Sequence, residues 1–214
     1  GATVGEKQKW FSQGEPAGPA YMIIVDPRDT ETARAAKAAG GDRVLVLRPE
    51  PGTDIVLANA IARVIYEKHR DVVENYVKHY RDAAQKYGFE WDENAWRLYL
   101  EKALEINKPL DAYLAEAEKI TGVSRRDIEA AARIIAEPKQ GGYLKRVWLM
   151  YEKGIIWNQN YRSIYALVDL CIAVGAFRGV AGTGCQRQGG HQEGYAGPEP
   201  PPPPWEKERH HVSP

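Results

Sequence analysis

The residues best suited to chemistry lie near the end of the chain, in a glycine-rich run at positions 182–195. Five glycines there surround Arg187 and His191. Glycine lets the backbone approach a ligand closely, while guanidinium and imidazole groups bind oxyanions or metal-bound oxygen. Because the Gly189-Gly190 pair disfavours a helix, we expect both side chains to project from an irregular loop toward a common point. The alternative is a polar surface loop, with Arg187 on a surface carboxylate and His191 bonded to backbone.

Two short apolar runs, at residues 21–25 and 44–47, indicate the elements that precede this loop. Each is rich in β-branched or aliphatic residues and is followed by a proline, which predicts buried strands of a parallel sheet. Residues 29–32 offer N-cap oxygens, and the alanine-rich stretch after them ends at Gly40-Gly41, which predicts a helix. Strand, helix and strand form a βαβ unit, so the predicted fold class is α/β with a Rossmann-like parallel sheet, flanking helices and a helix-rich insertion.

Polar side chains follow both predicted strands. Asp26 and Arg28 come directly after the first strand, and Asp54 opens the helix after the second. Ligands of open α/β sheets bind beyond the carboxyl ends of the strands, where a carboxylate can accept paired N–H donors from a nucleobase. The alternatives are a turn or N-cap role for Asp26 and an N-cap role for Asp54. Neither Gly-x-Gly-x-x-Gly after the first strand nor a P-loop occurs in the sequence, which disfavours a plain NAD or P-loop site.

The patterns divide the chain into five parts. These are a loop entry (1–20), the βαβ part (21–69), a helical insertion (70–137), a strand, helix and glycine-rich loop (138–198), and a proline-rich tail (199–214). The insertion reads as amphipathic packing helices, one of them opened by a capping box at residues 124–127. In the fourth part, a strand at 147–151 and a helix ending near Gly175 precede the glycine-rich run.

Composition excludes several classes of protein. Twenty-nine basic residues balance twenty-nine acidic ones, so no net field favours nucleic acid or an anionic membrane. The longest uncharged apolar run, residues 170–177, is too short to span a bilayer. Cys171 and Cys185 have no zinc-binding spacing. Cys171 is most simply a small buried apolar residue, and no metal-ligating residue is predicted.

Several motifs resemble molybdopterin oxidoreductases of the dimethyl-sulfoxide-reductase superfamily, and more narrowly the large subunit of arsenite oxidases. The motifs are Val-Asp-Pro-Arg at 25–28 with Thr30, Pro-Gly-Thr-Asp at 51–54, the segments 1–3, 10–11 and 14–16, the segment 151–157 with Asn160-Tyr161, and the run 182–195. The similarity runs from residue 1 to about residue 198. The Gly-Gly-His-Gln-Glu-Gly-Tyr run is specific, whereas Asp-Pro-Arg marks only the superfamily.

This resemblance implies oxidation of arsenite at a molybdenum centre held by two molybdopterin guanine dinucleotides, with electrons passing to an iron–sulfur centre. It implies that Asp26, Arg28 and Asp54 bind the guanosine end of one pterin. Gly190 and Gln192 are implied in cofactor binding as well. Arg187 and His191 are implied to line the funnel where arsenite meets the metal.

The resemblance further implies a periplasmic or extracytoplasmic complex with a small Rieske-type subunit and a cytochrome c or azurin-like acceptor. The iron–sulfur cysteines and a further pterin-binding domain are expected outside residues 1–214, so we expect an internal fragment that alone neither retains molybdenum nor turns over. Gln188 and the segment 175–182 depart from arsenite oxidases, and Gln188 together with the segment 157–160 resembles iodate reductases. The alternatives are therefore a related oxyanion redox enzyme such as iodate reductase, or a non-redox nucleotide-binding or interaction module.

Overall fold

The computed structural model describes residues 21–136, 138–139, 143–144, 147–151, 153–156, 161–177 and 184–187. Most of these residues are helical. The helices are α1 (Glu31–Gly40), α2 (Asp54–Tyr87), α3 (Glu93–Leu98), α4 (Leu110–Thr121), α5 (Arg125–Ala136), α6 (Lys153–Ile156) and α7 (Tyr161–Ala173), with a 3₁₀ turn at Gly41–Arg43 and a π-helical turn at Tyr99–Ala103. The strands are β1 (Met22–Val25), β2 (Val44–Leu47), β3 (Pro138–Lys139), β4 (Tyr143–Leu144), β5 (Trp148–Tyr151) and β6 (Gly184–Arg187).

The predicted βαβ unit is confirmed. Strands β1 and β2 pair in parallel, from Met22 opposite Val44 to Val25 opposite Leu47, and α1 connects them. Thr30 caps this helix, because its Oγ1 accepts a hydrogen bond from the Ala33 N–H at 3.2 Å. The helix ends at Gly41, whose φ of 54° suits a residue without a Cβ. Local capping therefore fixes both ends of the crossover, as the sequence indicates.

A second parallel pair joins β5 to β6, from Trp148 opposite Gly184 to Tyr151 opposite Arg187. This corrects the expectation that Arg187 lies in an irregular loop, because Arg187 is the last residue of β6. Pairing with β5 supplies the backbone hydrogen-bond partners that a free glycine-rich segment lacks. Among the described residues, the strands form three two-stranded sheets, of which β1–β2 and β5–β6 are parallel and β3–β4 is antiparallel. The architecture is therefore a largely helical α/β fold with small sheets.

Helix α2 lies at the centre of the core. Residues 57–66 are buried around the whole circumference of this helix, which is typical of a helix enclosed by others. Helices α4, α5 and α7 pack against it. The helix continues across the boundary predicted between residues 69 and 70, and its one non-helical residue is His69, with φ −135° and ψ 35°.

Two further local signals are observed at helix ends. Ser124 forms its half of the predicted capping box, because the Asp127 N–H donates to Ser124 Oγ at 3.1 Å. The Asp127 carboxylate accepts from the Ser124 hydroxyl at 2.8 Å, and not from the Ser124 backbone N–H as in a complete capping box. After α7 the chain turns at Gly175, whose φ is 69°. A Cβ at Gly175 would lie 2.9 Å from the ring of Tyr76, so the turn packs directly on α2.

Within the described residues, no helix has the length and apolar character needed to cross a membrane.

Candidate functional site

The carboxyl ends of β1 and β2 form one edge, where the predicted ligand-binding residues begin. The Asp26 N–H donates to the Leu47 carbonyl at 3.1 Å, which joins the ends of the two strands. Parallel strands end at the same edge of a sheet, so residues that follow β1 and β2 come together there. The backbone thus holds Asp26 beside the segment that begins at Arg48.

One carboxylate oxygen of Asp26 accepts hydrogen bonds within a local turn, and the other accepts none from a described residue. Its Oδ1 accepts hydrogen bonds from the Arg28 backbone N–H at 2.9 Å and from Arg28 Nε at 3.3 Å. This is an Asx-type turn, so the turn role considered from the sequence is real. No described residue donates to Oδ2, and the side chain is 25% exposed. Arg28 is 80% exposed, and its terminal nitrogens make no hydrogen bond with a described residue.

Arg48 is a further charged residue at this edge, and it was not among the site residues predicted from the sequence. It donates to Asp29 Oδ1 at 2.6 Å, and Arg34 lies 3.7 Å from Asp29 Oδ2. The three side chains, together with Lys37, line a shallow depression between α1 and β2. The signal for Arg48 was its position directly after β2, the same signal that identified Asp26 after β1.

Asp54 is the first residue of α2, and Thr53 is the N-cap residue, so the N-cap alternative for Asp54 is wrong. A carboxylate in the first helical turn is stabilised by the helix dipole. The turn before Asp54 is held in place by two hydrogen bonds, from the Thr53 hydroxyl to the Glu50 carbonyl at 2.7 Å and from the Glu50 N–H to the Thr121 carbonyl at 2.8 Å. The Asp54 carboxylate accepts no hydrogen bond from the described residues, and neither a hydrogen bond nor an ion pair links it to Asp26 or Arg28.

Of the two predicted substrate-facing residues, Arg187 lies within the described residues and His191 does not. The backbone of Arg187 closes β6 opposite Tyr151, whereas Gly190, His191 and Gln192 lie outside the described residues. The convergence of Arg187 and His191 therefore stays a prediction. Within the described segments, no group of three or more His, Cys, Asp or Glu side chains is arranged to hold a metal ion.

Comparison with known proteins places the chain in a family. No protein-family model matches the chain. The chain is 39% identical to arsenite oxidase subunit AioA of Herminiimonas arsenicoxydans over 202 residues, which cover 94% of this chain and 22% of the relative. The chain belongs to the molybdopterin oxidoreductases.

Two other relatives agree with this membership. Iodate reductase subunit IdrA of Denitromonas iodatirespirans is 31% identical over 88% of this chain and 22% of its own length. Formate dehydrogenase H of Escherichia coli (strain K12) is 34% identical over 73% of this chain and 18% of its own length. This member of the molybdopterin oxidoreductases thus spans about one fifth of the length of the curated relatives it matches, and its family implies a molybdenum cofactor.

Proposed function

We propose that the chain is part of the catalytic subunit of a molybdenum oxidoreductase that oxidises arsenite to arsenate by oxygen transfer at a bis-pterin molybdenum centre, from which electrons pass to an iron–sulfur centre. The arsenite oxidase subunit shares more of its sequence with this chain than the iodate reductase subunit does. The arsenite-oxidase motifs also extend over almost the whole chain, including the specific run at 189–195.

The guanosine end of one molybdopterin guanine dinucleotide is assigned to Asp26, Arg28 and Asp54. One observation carries this assignment: the turn uses only one oxygen of Asp26, and Oδ2 accepts no hydrogen bond from a described residue at the edge of the β1–β2 pair. Guanine presents adjacent N–H donors, which pair well with carboxylate oxygens. The exposed Arg28 guanidinium suits the anionic diphosphate. The donor and acceptor chemistry of this edge therefore fits the cofactor.

The substrate end is assigned to Arg187 and His191, with Gly190 and Gln192 in cofactor binding. The molybdenum, when bound, supplies the two-electron oxygen-transfer chemistry, while the protein orients and polarises the substrate. Guanidinium and imidazole groups can donate hydrogen bonds to the hydroxyls of neutral arsenite and to the charge that develops as arsenate forms. The β5–β6 pairing supports this role for Arg187, because a residue on a paired strand is positioned more precisely than one on a free loop.

The surrounding assembly follows from the same proposal. The two parallel strand pairs would belong to one Rossmann-like sheet of the larger enzyme. A small Rieske-type subunit would receive electrons and pass them to a cytochrome c or azurin-like acceptor, and the complex would work in the periplasm. These partners and this location rest on the similarity to arsenite oxidase.

Iodate reduction is the second candidate, since an iodate reductase subunit aligns with most of the chain. Gln188, between Arg187 and the Gly-Gly pair, also favours that branch. The test is to purify the full-length enzyme and add arsenite in the presence of oxidised cytochrome c or azurin. We expect reduction of the acceptor that depends on arsenite. No response to arsenite, together with oxidation of a reduced donor by iodate, would replace arsenite oxidase by iodate reductase.

A further inference from the structure

The two cysteines of the chain meet where α7 packs on β6. Cys171 lies near the end of α7 and is fully buried, and Cys185 is the second residue of β6 and is half-buried. Helix α7 contacts β6, and Cys185 packs against the apolar core cluster that contains Cys171. Both are reduced thiols. Two thiols brought together from separate elements offer chemistry that neither cysteine offers alone.

The contact between the thiols gives each of them a distinct role. A hydrogen bond joins the two side chains; it lowers the pKa of the Cys185 thiol. The same bond, together with burial, raises the pKa of the Cys171 thiol. In this bond Cys171 is the donor and Cys185 is the acceptor. The thiolate is the nucleophile in thiol–disulfide exchange, and Cys185 is also the more accessible of the two sulfurs.

We propose that Cys171 and Cys185 form a reversible intramolecular disulfide that fastens β6 to α7. The oxidant is a small-molecule or protein disulfide. The Cys185 thiolate attacks one sulfur of that disulfide and displaces its partner as a thiolate. The Cys171 thiol then gives up its proton and attacks the Cys185 sulfur, which displaces the second thiolate. Two protein thiols thus lose two electrons and two protons, and the oxidant disulfide becomes two thiols.

The bond would close the segment 171–185 and fix the backbone of β6 relative to α7. Closing a loop of this length restricts the unfolded chain and raises stability. Arg187 is the last residue of the same strand, so the cross-link also limits how far the Arg187 backbone can move from α7. The disulfide itself depends only on the meeting of the two thiols, and it stands or falls independently of the proposed substrate.

The disulfide can be detected by tryptic peptide mapping, because Arg178 lies between the two cysteines. Trypsin cleaves after Arg162, Arg178 and Arg187, so each cysteine falls in its own peptide, 163–178 and 179–187. The full-length enzyme is equilibrated with mixtures of oxidised and reduced glutathione, free thiols are alkylated, and the digest is read by mass spectrometry. We expect the linked peptide pair to predominate in the oxidised sample and to disappear after reduction.

Thermal unfolding of the same samples provides the second readout. We expect oxidation to raise the Tm of the wild-type enzyme by several degrees. The same treatment should leave the Tm of Cys185→Ala and of Cys171→Ala unchanged. If Cys185 carries only glutathione, or if both cysteines remain free and alkylatable under oxidising conditions, the proposal is wrong. Because the peptide map is made on the wild-type protein, a poorly folding variant cannot obscure that outcome.

Discussion

Charged side chains are hydrogen-bonded differently in two regions of the molecule. One region is the helical body, which consists of the helices packed around α2, and the other is the edge where β1 and β2 end. In the helical body, the buried Arg63 donates to Glu67 and to the Lys108 carbonyl, while the Lys108 ammonium donates to Glu116. At the strand edge, by contrast, Arg28 points into solvent and the Asp54 carboxylate accepts no hydrogen bond from a described residue.

The difference separates two uses of charge. Arg63 and Lys108 in the helical body complete hydrogen bonds that hold segments together, so their loss should weaken the fold. Charges at the edge contribute little to stability, as exposed charges generally do, and keep hydrogen-bonding capacity for a ligand. Asp29 is the exception at the edge, because Arg48 and Arg34 pair with both of its carboxylate oxygens, whereas Arg28 engages only one oxygen of Asp26. The predictions below test this division, from the largest expected effect to the smallest.

Arg63→Ala should cause the largest loss of stability. The Arg63 side chain is 2% exposed, and its removal leaves a cavity and takes the donors away from Glu67 and the Lys108 carbonyl. We expect the free energy of unfolding, measured by urea denaturation, to fall by about 4 kcal/mol. The matched control is Arg97→Ala, whose side chain is 55% exposed and pairs with Glu101 in the same helical segment. That change should cost less than about 0.5 kcal/mol, and equal losses for the two variants would contradict the division.

Gly175→Ala tests how rigidly α7 packs on α2. Gly175 and Gly88 share a left-handed backbone, with φ of 69° and 71°. At Gly175 a methyl group would also press on the Tyr76 ring, whereas the space at Gly88 is open. We expect Gly88→Ala to cost about 1 kcal/mol from backbone strain alone. Gly175→Ala should cost about 3 kcal/mol, because overpacking adds to the strain. Thermal unfolding compares the two, and a difference near zero would mean that the Tyr76 ring moves freely.

Asp169 is a poorly solvated carboxyl on the helical side, and it tests the same comparison. It lies on α7, makes no hydrogen bond with a described residue, and burial raises its pKa to about 6. The negative charge of Asp169 also contributes, after burial, to raising the pKa of the fully buried Tyr99. Because the folded protein prefers the protonated acid, its contribution favours folding at low pH and is lost as pH rises from about 4 through 6.

Asp169→Asn should therefore remove this pH-dependent penalty. Urea unfolding of the wild type and the variant at pH 3.5 and pH 7.5 isolates the effect, because other titrating groups cancel in the difference. We expect the variant to gain about 1–2 kcal/mol relative to the wild type on going to pH 7.5, a value below the full conversion of the shift because the carboxyl is partly solvated. Parallel pH profiles for the two proteins would show that Asp169 is well solvated.

Much of the local structure could be predicted from the sequence, because its causes are local. Thr30 and Ser124 precede helical patterns and cap them, and Gly41 ends the first crossover helix. The βαβ unit follows from two apolar runs of strand length and the helix between them. Strand β6 could not be predicted in this way, since Gly-Cys-Gln-Arg has little β-propensity and depends on pairing with β5.

The candidate site was predictable to a similar degree. The positions of Asp26 and Arg28 follow from the end of β1, and both lie at the expected edge. The hydrogen bonds from Arg28 to one oxygen of Asp26 could not be predicted, because they depend on the conformation of the turn. The N-cap alternative for Asp54 failed because the preceding Thr53 takes that position, and sequence patterns rarely fix a helix start to one residue.

The most direct test of the division is the guanine nucleotide content of Asp54→Asn in the full-length enzyme. An asparagine keeps the size of Asp54 but replaces one acceptor oxygen by a donor, which opposes the N–H groups of guanine. The control is Asp82→Asn, an exposed carboxylate on the helical side whose one ion-pair partner among the described residues is Lys78. We predict two guanine nucleotides per polypeptide in acid extracts of the wild type and of the control, and one or fewer in Asp54→Asn, with the unfolding free energy of its apoprotein within about 0.5 kcal/mol of the wild type. Full retention of both nucleotides by Asp54→Asn would contradict the assignment of this edge to the cofactor.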